Sequence, residues 1–372
     1  MDLFINSVFY VTSKHTFSMN KYFIFLYLIF VASKIYAQTL GGSSSYQFLR
    51  LTPSTQEAAL GGINITNNTM DLSMAYNNPS LLSKEMHSQL SANFNNLYAG
   101  IKNYHLMMAY SHPEIATNFA IGLHYLNYGN TIQTDPSGNV MGSFNPRDFS
   151  LQLMASRQYL TRWTYGATLK FIHSNYGLVR SSAMAMDIAV AYADTTNFLQ
   201  MSVVAKNMGV VLKPYNSDNL EELPFDLVVG ISKKLDKAPV RFSLTAHHLH
   251  RFDILYNDTA FNNQVGAKNA SPGKFTIEKL FQHIVFSTQL MIGKYLEVNA
   301  GYNFLRRSEL RLYNVANGLV GFSMGAGVMF PKIQIRYART FMQNSTGYNQ
   351  LGVNLPLNKY FGLGKWGEQQ GW

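Results

Sequence analysis

Histidine and aspartate side chains that could bind a metal ion are concentrated in residues 247–253. Imidazole nitrogens and carboxylate oxygens are common ligands of divalent transition metals. In an extended strand, however, successive side chains point to opposite faces. His248 and His250 would then share one face while His247 points to the other, so that at most one pair of ligands converges. The sequence therefore predicts no metal site and no cofactor, and it places these histidines and Arg251 at the rim of a strand.

Two short motifs match patterns of penicillin-recognising enzymes. Ser271 and Lys274 fit an S-x-x-K pattern, and Ser217-Asp218-Asn219 fits a second pattern of those enzymes. The two occur in reversed order, no Lys-Thr-Gly follows, and Pro272-Gly273 would prevent the helix that aims the serine at its lysine. The chain also has no cysteine, which excludes thiol catalysis and thiolate metal sites. The sequence predicts no catalytic residue, and thus a protein that is not an enzyme.

The composition of the chain excludes several classes of protein. Of the 372 residues, 47% are hydrophobic and 14% aromatic but only 13% charged, about half of the roughly 25% typical of soluble domains. Such a composition excludes a disordered scaffold, and outside the N-terminus no apolar run is long enough for a transmembrane helix. The formal net charge of +10 suggests anionic lipid or polysaccharide nearby. Without a Lys/Arg stripe or a recognised motif, no nucleic acid is expected as a partner.

Residues 1–37 are interpreted as a leader that ends in a secretory signal peptide. Lys21 precedes the apolar run 22–32, and a cleavage site follows Ala37. This order of a basic, an apolar and a small-residue region is typical of a signal peptide. The mature chain is expected to begin at Gln38, and to be exported.

From Gln89 onward the sequence alternates between apolar and polar or small residues, as strands with two different faces do. In residues 118–128, for example, Phe119 and Ile121 alternate with Ala120. About fourteen such segments occur, beginning near Gln89, Asn103, Asn118, Asp148, Arg162, Ser182, Leu199, Phe225, Val240, Gln282, Tyr295, Val320, Lys332 and Tyr348.

The connections between these segments alternate between short and long, as in outer-membrane barrels. A soluble sandwich also alternates apolar and polar residues, but its outward faces would carry many more charges. The sequence therefore predicts an all-β membrane protein, an antiparallel outer-membrane β-barrel of about 14 strands. The barrel is expected over residues 89–361, with a C-terminal tail over 362–372.

Residues 38–88 do not alternate and are expected to form a small N-terminal helical plug. A first short helix should start at Thr52-Pro53-Ser54 and stop at Gly61 and Gly62, and a second should start at Asn78 and Pro79. Glycine and proline at these points also make Gly61, Gly62, Asn78 and Pro79 the candidate hinge of the plug.

Three strings of the N-terminal region carry a family resemblance: Gly41-Gly42-Ser43-Ser44-Ser45-Tyr46-Gln47-Phe48-Leu49, Ala58-Ala59-Leu60-Gly61-Gly62, and Tyr76-Asn77-Asn78-Pro79-Ser80-Leu81-Leu82. In this order they resemble the PorQ family of the type IX secretion system, which belongs with the FadL-like fourteen-stranded barrels. The resemblance implies a non-enzymatic outer-membrane component of the type IX protein secretion and cell-surface attachment machinery. It also implies PorU-like, PorV-like and PorZ-like partners, with the barrel anchoring a PorZ-like surface protein near lipopolysaccharide.

A surface partner would bind the long loops. The longest connection spans residues 250–281, and the following long connection, which contains three arginines, spans residues 306–317. The basic side chains of these two loops are the candidate partner-binding residues Arg251, Lys268, Lys274, Arg306, Arg307 and Arg311. One alternative is a FadL-like outer-membrane channel that transports hydrophobic small molecules past an N-terminal hatch. Another is an exported soluble adhesin, which would need no detergent for extraction.

Overall fold

The structure, a computed structural model, describes residues 44–216, 221–255, 275–310, 318–342 and 347–361, with the side chain of Phe361 excepted. The leader predicted over residues 1–37 and the tail predicted over 362–372 lie outside these residues. The strands are β1 Gln89–Asn96, β2 Lys102–His112, β3 Thr117–Asn127, β4 Thr131–Thr134, β5 Val140–Phe144, β6 Arg147–Tyr159, β7 Trp163–Tyr176, β8 Val179–Asp194, β9 Leu199–Lys213, β10 Asp226–Lys234, β11 Val240–Ala246, β12 Ile284–Ile292, β13 Leu296–Asn303, β14 Phe322–Met329, β15 Gln334–Phe341 and β16 Gly347–Pro356.

Fourteen of these strands close into one antiparallel barrel, while β4 and β5 form a separate hairpin between β3 and β6. The last strand, β16, pairs with both β15 and β1, which closes the barrel. Closure satisfies backbone N–H and C=O groups without water, the condition for a sheet that crosses lipid. The predicted fold is confirmed, and the largest error in a strand start is at β8, predicted from Ser182 and beginning at Val179.

The outer surface of the barrel is apolar. Along β3, Phe119, Ile121 and Leu123 are exposed, whereas Ala120 and His124, on the opposite face of the strand, are buried. The same alternation recurs around the wall, so that large apolar side chains face outward where a soluble protein would carry charges. Such a surface requires lipid around it, which places the barrel in a bacterial outer membrane and is incompatible with a soluble adhesin.

The two ends of the barrel differ in their connections. Tight turns join the strands at one end, at residues 113–116, 160–162, 195–198, 235–239, 293–295 and 330–333. The long connections lie at the other end, at residues 128–146, 214–225, 247–283 and 304–321. The predicted alternation is confirmed, except that 97–101, 177–178 and 342–346 at the long-loop end are short. We call these the periplasmic end and the outer end, following the arrangement of bacterial barrels.

Residues 44–88 lie inside the barrel, and we call them the plug. They form helix α1, Thr55–Ala59, and the 3₁₀ helices Gln47–Arg50, Leu72–Tyr76, Pro79–Leu81 and Lys84–Met86. The Ser54 and Asn78 side chains cap two of these helices by accepting hydrogen bonds from the backbone N–H groups of Glu57 and Ser80. Both predicted helix starts are thus confirmed, because the cap residues stand where the sequence placed them.

Glycines of the wall let the plug backbone approach closely. A Cβ atom at Gly301 of β13 would lie 2.2 Å from the backbone nitrogen of Gly61, and one at Gly166 of β7 would lie 2.6 Å from the carbonyl carbon of Pro79. Real Cβ atoms do not come so near to backbone, so a side chain at either position would push the plug away from the wall.

Three further short helices flank strands: α2 Ile277–Gln282, α3 Phe304–Glu309 and α4 Asn358–Phe361, and a 3₁₀ turn occupies Tyr98–Gly100. Among the described residues, no helix has the length and apolar character needed to cross a bilayer.

Candidate functional site: the plugged lumen and a gap in its wall

A network of buried charged side chains joins the plug to strands β13 and β15 of the wall. Arg336 Nε lies 2.7 Å from Glu297 Oε1 and 3.5 Å from Asp71 Oδ2, and all three side chains are at most 3% exposed. Gln56 of the plug and Gln289 of the wall donate to the other oxygen of Glu297 at 3.3 and 3.2 Å. Since Asp71 and Gln56 belong to the plug, withdrawing the plug would separate Asp71 from Arg336 and break the Gln56–Glu297 hydrogen bond, while the Arg336–Glu297 pair of the wall would remain.

A second ion pair lies within the wall. Lys170 Nζ is 2.6 Å from Asp187 Oδ2, with both side chains 0% exposed. The same ammonium donates to Asn207 Oδ1 at 2.9 Å, and the backbone N–H of Asn207 donates to Asp187 Oδ1 at 2.7 Å. Asn207 has a left-handed φ of 56°, and the β8–β9 register shifts next to Asp187. The pair therefore holds a β-bulge in β9.

A third group joins the plug to β9. Lys206 donates to Asn77 Oδ1, Asn77 donates to Glu57 Oε2 at 2.5 Å, and the backbone N–H of Asn64 donates to Glu57 Oε1 at 3.0 Å. Burial raises the pKa of Glu57 to about 7, although Lys206 partly offsets this effect. Glu57 is a plug residue, so its protonation affects how firmly the plug docks.

The predicted hinge residues lie where the plug touches the wall. Gly61 and Gly62 have φ values of 96° and 93°, and the carbonyl of Gly61 accepts from Arg306 Nη2 at 2.9 Å. Asn78 donates to the carbonyl of Ile65, within the plug, at 2.6 Å, and the backbone of Pro79 lies against Gly166 of β7. Gly61 and Pro79 are thus attachment points of the plug, and movement of the four residues as a hinge stays a prediction.

The wall of the barrel is interrupted on one side, between β9 and β10. Strand β10 begins at Asp226, which pairs with Lys206 of β9. In the described part of the chain, residues 207–213 of β9 pair with β8 alone. Beyond Lys206 the barrel thus has an opening toward the outer end, which we call the β9–β10 gap.

The incoming segment 221–225 covers this gap without pairing along β9. The Asn207 side chain donates to the carbonyl of Pro224 at 3.0 Å. On the other side of the segment, the backbone N–H of Ser45 donates to the carbonyl of Glu222 at 2.9 Å. The start of the plug is therefore attached to the cover of the gap.

A cavity of about 550 Å³ lies at the gap, lined by Asn207, Met208, Gly209, Val210, Val211, Pro214, Glu221, Glu222, Leu223 and Phe225. Met208 and Val210 stand opposite Met186 and Met184 of β8, whose side chains belong to the outward apolar surface. The gap therefore reaches the height at which the barrel contacts lipid.

The inner side of the same cavity is apolar as well. Val211 and Leu223 pack into a buried cluster in the outer part of the lumen, together with Phe48, Leu49 and Ile172. Apolar side chains thus continue from the outer surface, through the gap, to the interior of the barrel above the charged networks. This continuity is the feature of the molecule that fits a small apolar ligand.

The histidines of residues 247–250 are arranged differently from the sequence-based expectation. Strand β11 ends at Ala246, and His248 has a left-handed φ of 56°. Alternation therefore stops, and the Nδ1 atoms of His247 and His248 lie 2.5 Å apart instead of on opposite faces. One ligand-type atom each of Asp226, His247 and His248 lies within 4.8 Å of the others. Burial lowers the pKa of both imidazoles to about 3, so they are uncharged at neutral pH.

The predicted partner-binding residues are only partly described. Lys268, Lys274 and Arg311 lie outside the described residues, as do the motifs Ser271–Lys274 and Ser217–Asn219. Arg306 turns inward, because its guanidinium donates to the carbonyl of Gly61 and, at 2.8 Å, to Ser323 Oγ. Burial lowers its pKa to about 10. Arg307 donates to the carbonyl of Gly318 at 3.2 Å, and Arg251 is half-buried beside the histidines. A partner for any of them stays a prediction.

Sequence reasoning missed the β9–β10 gap and Asp226. Asn207 and Gly209, within β9, are residues that often mark a bulge, and Pro224, two residues before Asp226, cannot donate a ladder hydrogen bond, which indicates that the next strand starts after it. No signal in the sequence brings Asp226 to the histidines, because they meet only through the pairing of β10 with β11.

No protein-family model and no curated protein matches this sequence. Among solved structures the chain is similar to the "TodX monoaromatic hydrocarbon channel deltaS2 mutant", with 14% identity, 82% of this chain and 98% of that chain covered, and a TM-score of 0.45. It is also similar to the "CymD monoaromatic hydrocarbon channel", with 13% identity, 82% and 97% coverage, and a TM-score of 0.47. The "KdgM porin" shares 4% identity over 72% of this chain and 98% of that chain, with a TM-score of 0.33. The assignment to the barrel fold rests on the strand pairing described above.

Proposed function

We propose that the protein is an outer-membrane channel that passes small apolar molecules from the outer part of its lumen sideways into the membrane. The observation that carries this proposal is the cavity at the β9–β10 gap, which has apolar side chains on both its lipid side and its lumen side, beside the polar residues Asn207, Glu221 and Glu222. A cavity of about 150 Å³ suffices to hold benzene, so the cavity at the gap has room for a ring compound with substituents.

Irregular backbone at membrane depth supports the proposal. A strand edge without partners is tolerated in a bilayer only where it lines a cavity or is covered by protein. Residues 207–213 form such an edge, and the segment 221–225 covers it through few hydrogen bonds. The Lys170–Asp187 pair fixes the bulge at Asn207 that begins this edge, so the gap belongs to the folded wall.

The plug explains why the path would be lateral. Below the apolar cluster, the lumen is crossed by the Arg336 network and by the Glu57–Asn77–Lys206 group. An apolar molecule gains nothing by entering charged and hydrogen-bonded surroundings. Passage through the gap leaves these groups in place, whereas passage toward the periplasmic end would break them.

The test fills the cavity with a large side chain. Val211→Trp places an indole on the inner side of the gap, and Val203→Trp on the outward face of the same strand is the matched control. In bacterial cells producing each barrel, we expect V211W to slow uptake of labelled toluene at least severalfold, while V203W takes it up at the original rate. Heat-dependent migration in gels shows whether each variant folds. Equal uptake by all three folded barrels would contradict a path through the gap.

The second candidate is the role suggested by the family resemblance, an anchor for a surface partner in type IX secretion. The observation that favours it is the plug, whose buried charges and hydrogen bonds suit a non-conducting lumen. A detergent pull-down from the native cells, with identification of the co-purifying proteins, tests it. Recovery of PorZ-like, PorU-like or PorV-like proteins supports the anchor. If deleting residues 267–273 leaves that recovery unchanged, the long loop is not the docking site.

A further inference from the structure

We propose that Asp226, His247 and His248 form a binding site for a divalent transition-metal ion at the outer end of the barrel. His248 Nδ1 lies 2.5 Å from His247 Nδ1 and 3.8 Å from Asp226 Oδ2. One ligand-type atom from each of the three residues falls within 4.8 Å of the other two. Three side chains of this kind can share one ion after small rotations, since Zn–N and Zn–O distances are about 2.0–2.2 Å.

The backbone holds the two histidines in place. The N–H of His247 donates to the carbonyl of His283 at 2.9 Å, and His283 Nδ1 donates to the carbonyl of His247 at 2.8 Å. The N–H of His248 donates to Asp226 Oδ1 at 2.6 Å, which leaves Oδ2 toward the imidazoles. His248 keeps its left-handed φ of 56° through these contacts.

A second observation is an unsatisfied buried group. His247 is 1% exposed, and its Nε2 atom has no hydrogen-bond partner. Either nitrogen of a neutral imidazole can bind a metal ion, so Nε2, which has no competing hydrogen bond, is available as a ligand atom as well as Nδ1.

The donor set determines the class of ion. Two imidazoles and one carboxylate suit Zn²⁺, Ni²⁺ or Cu²⁺, whereas Mg²⁺ and Ca²⁺ prefer oxygen ligands throughout. Three protein ligands leave a fourth position for water. We therefore expect weaker binding than at a closed structural zinc site with four protein ligands.

The site lies at the edge of the gap but does not depend on the proposed transport. Asp226 is the first residue of β10 and follows Phe225, which lines the cavity. The ring of His250 contacts Phe225 with centroids 5.0 Å apart. A bound ion would join the start of β10 to the end of β11 and so fix one side of the opening.

The experiment uses the full-length, tag-free barrel in detergent, dialysed against a chelator and then titrated with zinc chloride in a calorimeter. We expect one ion per chain, with affinity reduced at least tenfold in His247→Ala and in Asp226→Asn. His112→Ala, at the periplasmic end of β2, is the control and should bind as the original chain does. Cobalt(II) gives a second readout, since its visible absorption reports nitrogen and oxygen ligation.

Gel migration with and without heating identifies variants that are folded. Absence of zinc binding and of a cobalt spectrum in the original chain would overturn the proposal. So would unchanged affinity in folded H247A and D226N. Because none of these measurements involves transport, failure of the metal site leaves the test of the channel unaffected.

Discussion

At the scale of single residues, the fully buried Lys170–Asp187 pair gives the clearest expectation. Lys170→Met would leave Asp187 buried without its counter-charge, and removing one partner of such a pair costs about 3–5 kcal/mol. We therefore expect a lower free energy of unfolding in urea, with much of the loss recovered in the double variant Lys170→Met/Asp187→Leu. Lys233→Met, on the exposed face of β10, is the control. A single variant as stable as the original chain would show that Asp187 finds another partner.

Glu57 makes docking of the plug dependent on pH. Its pKa is about 7 in the folded protein, against an ordinary value of 4.5. As pH rises from 4.5 to 7, the unfolded chain loses this proton while the folded one keeps it, so stability falls and then levels off above 7. The full effect corresponds to about 3 kcal/mol. Glu57→Gln should remove this dependence, measured as hydrogen exchange of α1 at acidic and alkaline pH.

The exposed Glu85→Gln serves as the control for that measurement, because it removes a carboxylate without touching the plug contacts. We expect it to keep the original pH dependence. If E57Q and E85Q exchange alike at both pH values, Glu57 is not the group responsible.

The sequence predicts which side chains of a strand are buried and which are exposed, but it does not predict which residues of different strands are in contact. The sequence places Ala120 and His124 on one face of β3, and the structure buries both. Lys170 and Asp187 meet because of the β7–β8 register, in which Lys170 stands opposite Ala185. That register depends on the tight turn 177–178 and not on the period of either strand. The prediction that His247 and His248 point to opposite faces is wrong for a different reason: the sequence does not show that β11, and with it the alternation, ends at Ala246.

At the scale of elements, the fit between plug and wall depends on small side chains. Gly301→Val in β13 would place its Cβ within about 2.2 Å of the backbone of Gly61 and Leu60, which are not free to yield. We expect the plug to leave the wall locally, seen as faster hydrogen exchange and protease cleavage in residues 55–62. Gly122→Ala is the matched control, because its Cβ would meet first the flexible Met107 side chain, at 3.2 Å. Equal protection in the two variants would mean that the wall, and not the plug, adjusts.

Strand positions followed from the sequence because lipid imposes a strict period of two on every strand of the wall. The β9–β10 gap did not follow, since β9 continues to Lys213 with the same apolar pattern after it has lost one neighbour. The pattern of apolar and polar residues in a strand is the same whether one or both of its edges are hydrogen-bonded to a neighbour. The gap therefore became visible only through the pairing of β10.

At the scale of the whole molecule, the two possible routes of a small molecule through the barrel differ in whether the plug must move. A hatch that swings on Gly61, Gly62, Asn78 and Pro79 requires the plug to leave the wall. Exit through the gap requires that the cover 221–225 yields, which breaks the hydrogen bond between Ser45 and Glu222 at the start of the plug but leaves the charged contacts of the plug in place. The charged networks favour the second route, because moving the plug would separate Arg336 from Asp71 and Lys206 from Asn77.

A disulfide between plug and wall distinguishes these routes, and the absence of native cysteine makes it specific. A Cβ atom at Gly352 would lie 3.0 Å from that of Thr55, slightly closer than the roughly 3.5–4.5 Å of ordinary disulfides. We expect the oxidised Thr55→Cys/Gly352→Cys barrel to take up toluene as fast as its reduced form, since the lateral path leaves the plug in place. Each single-cysteine variant controls for the substitutions. Uptake that stops on oxidation and returns on reduction would assign transport to movement of the plug, and the β9–β10 gap would then be a feature of the wall alone.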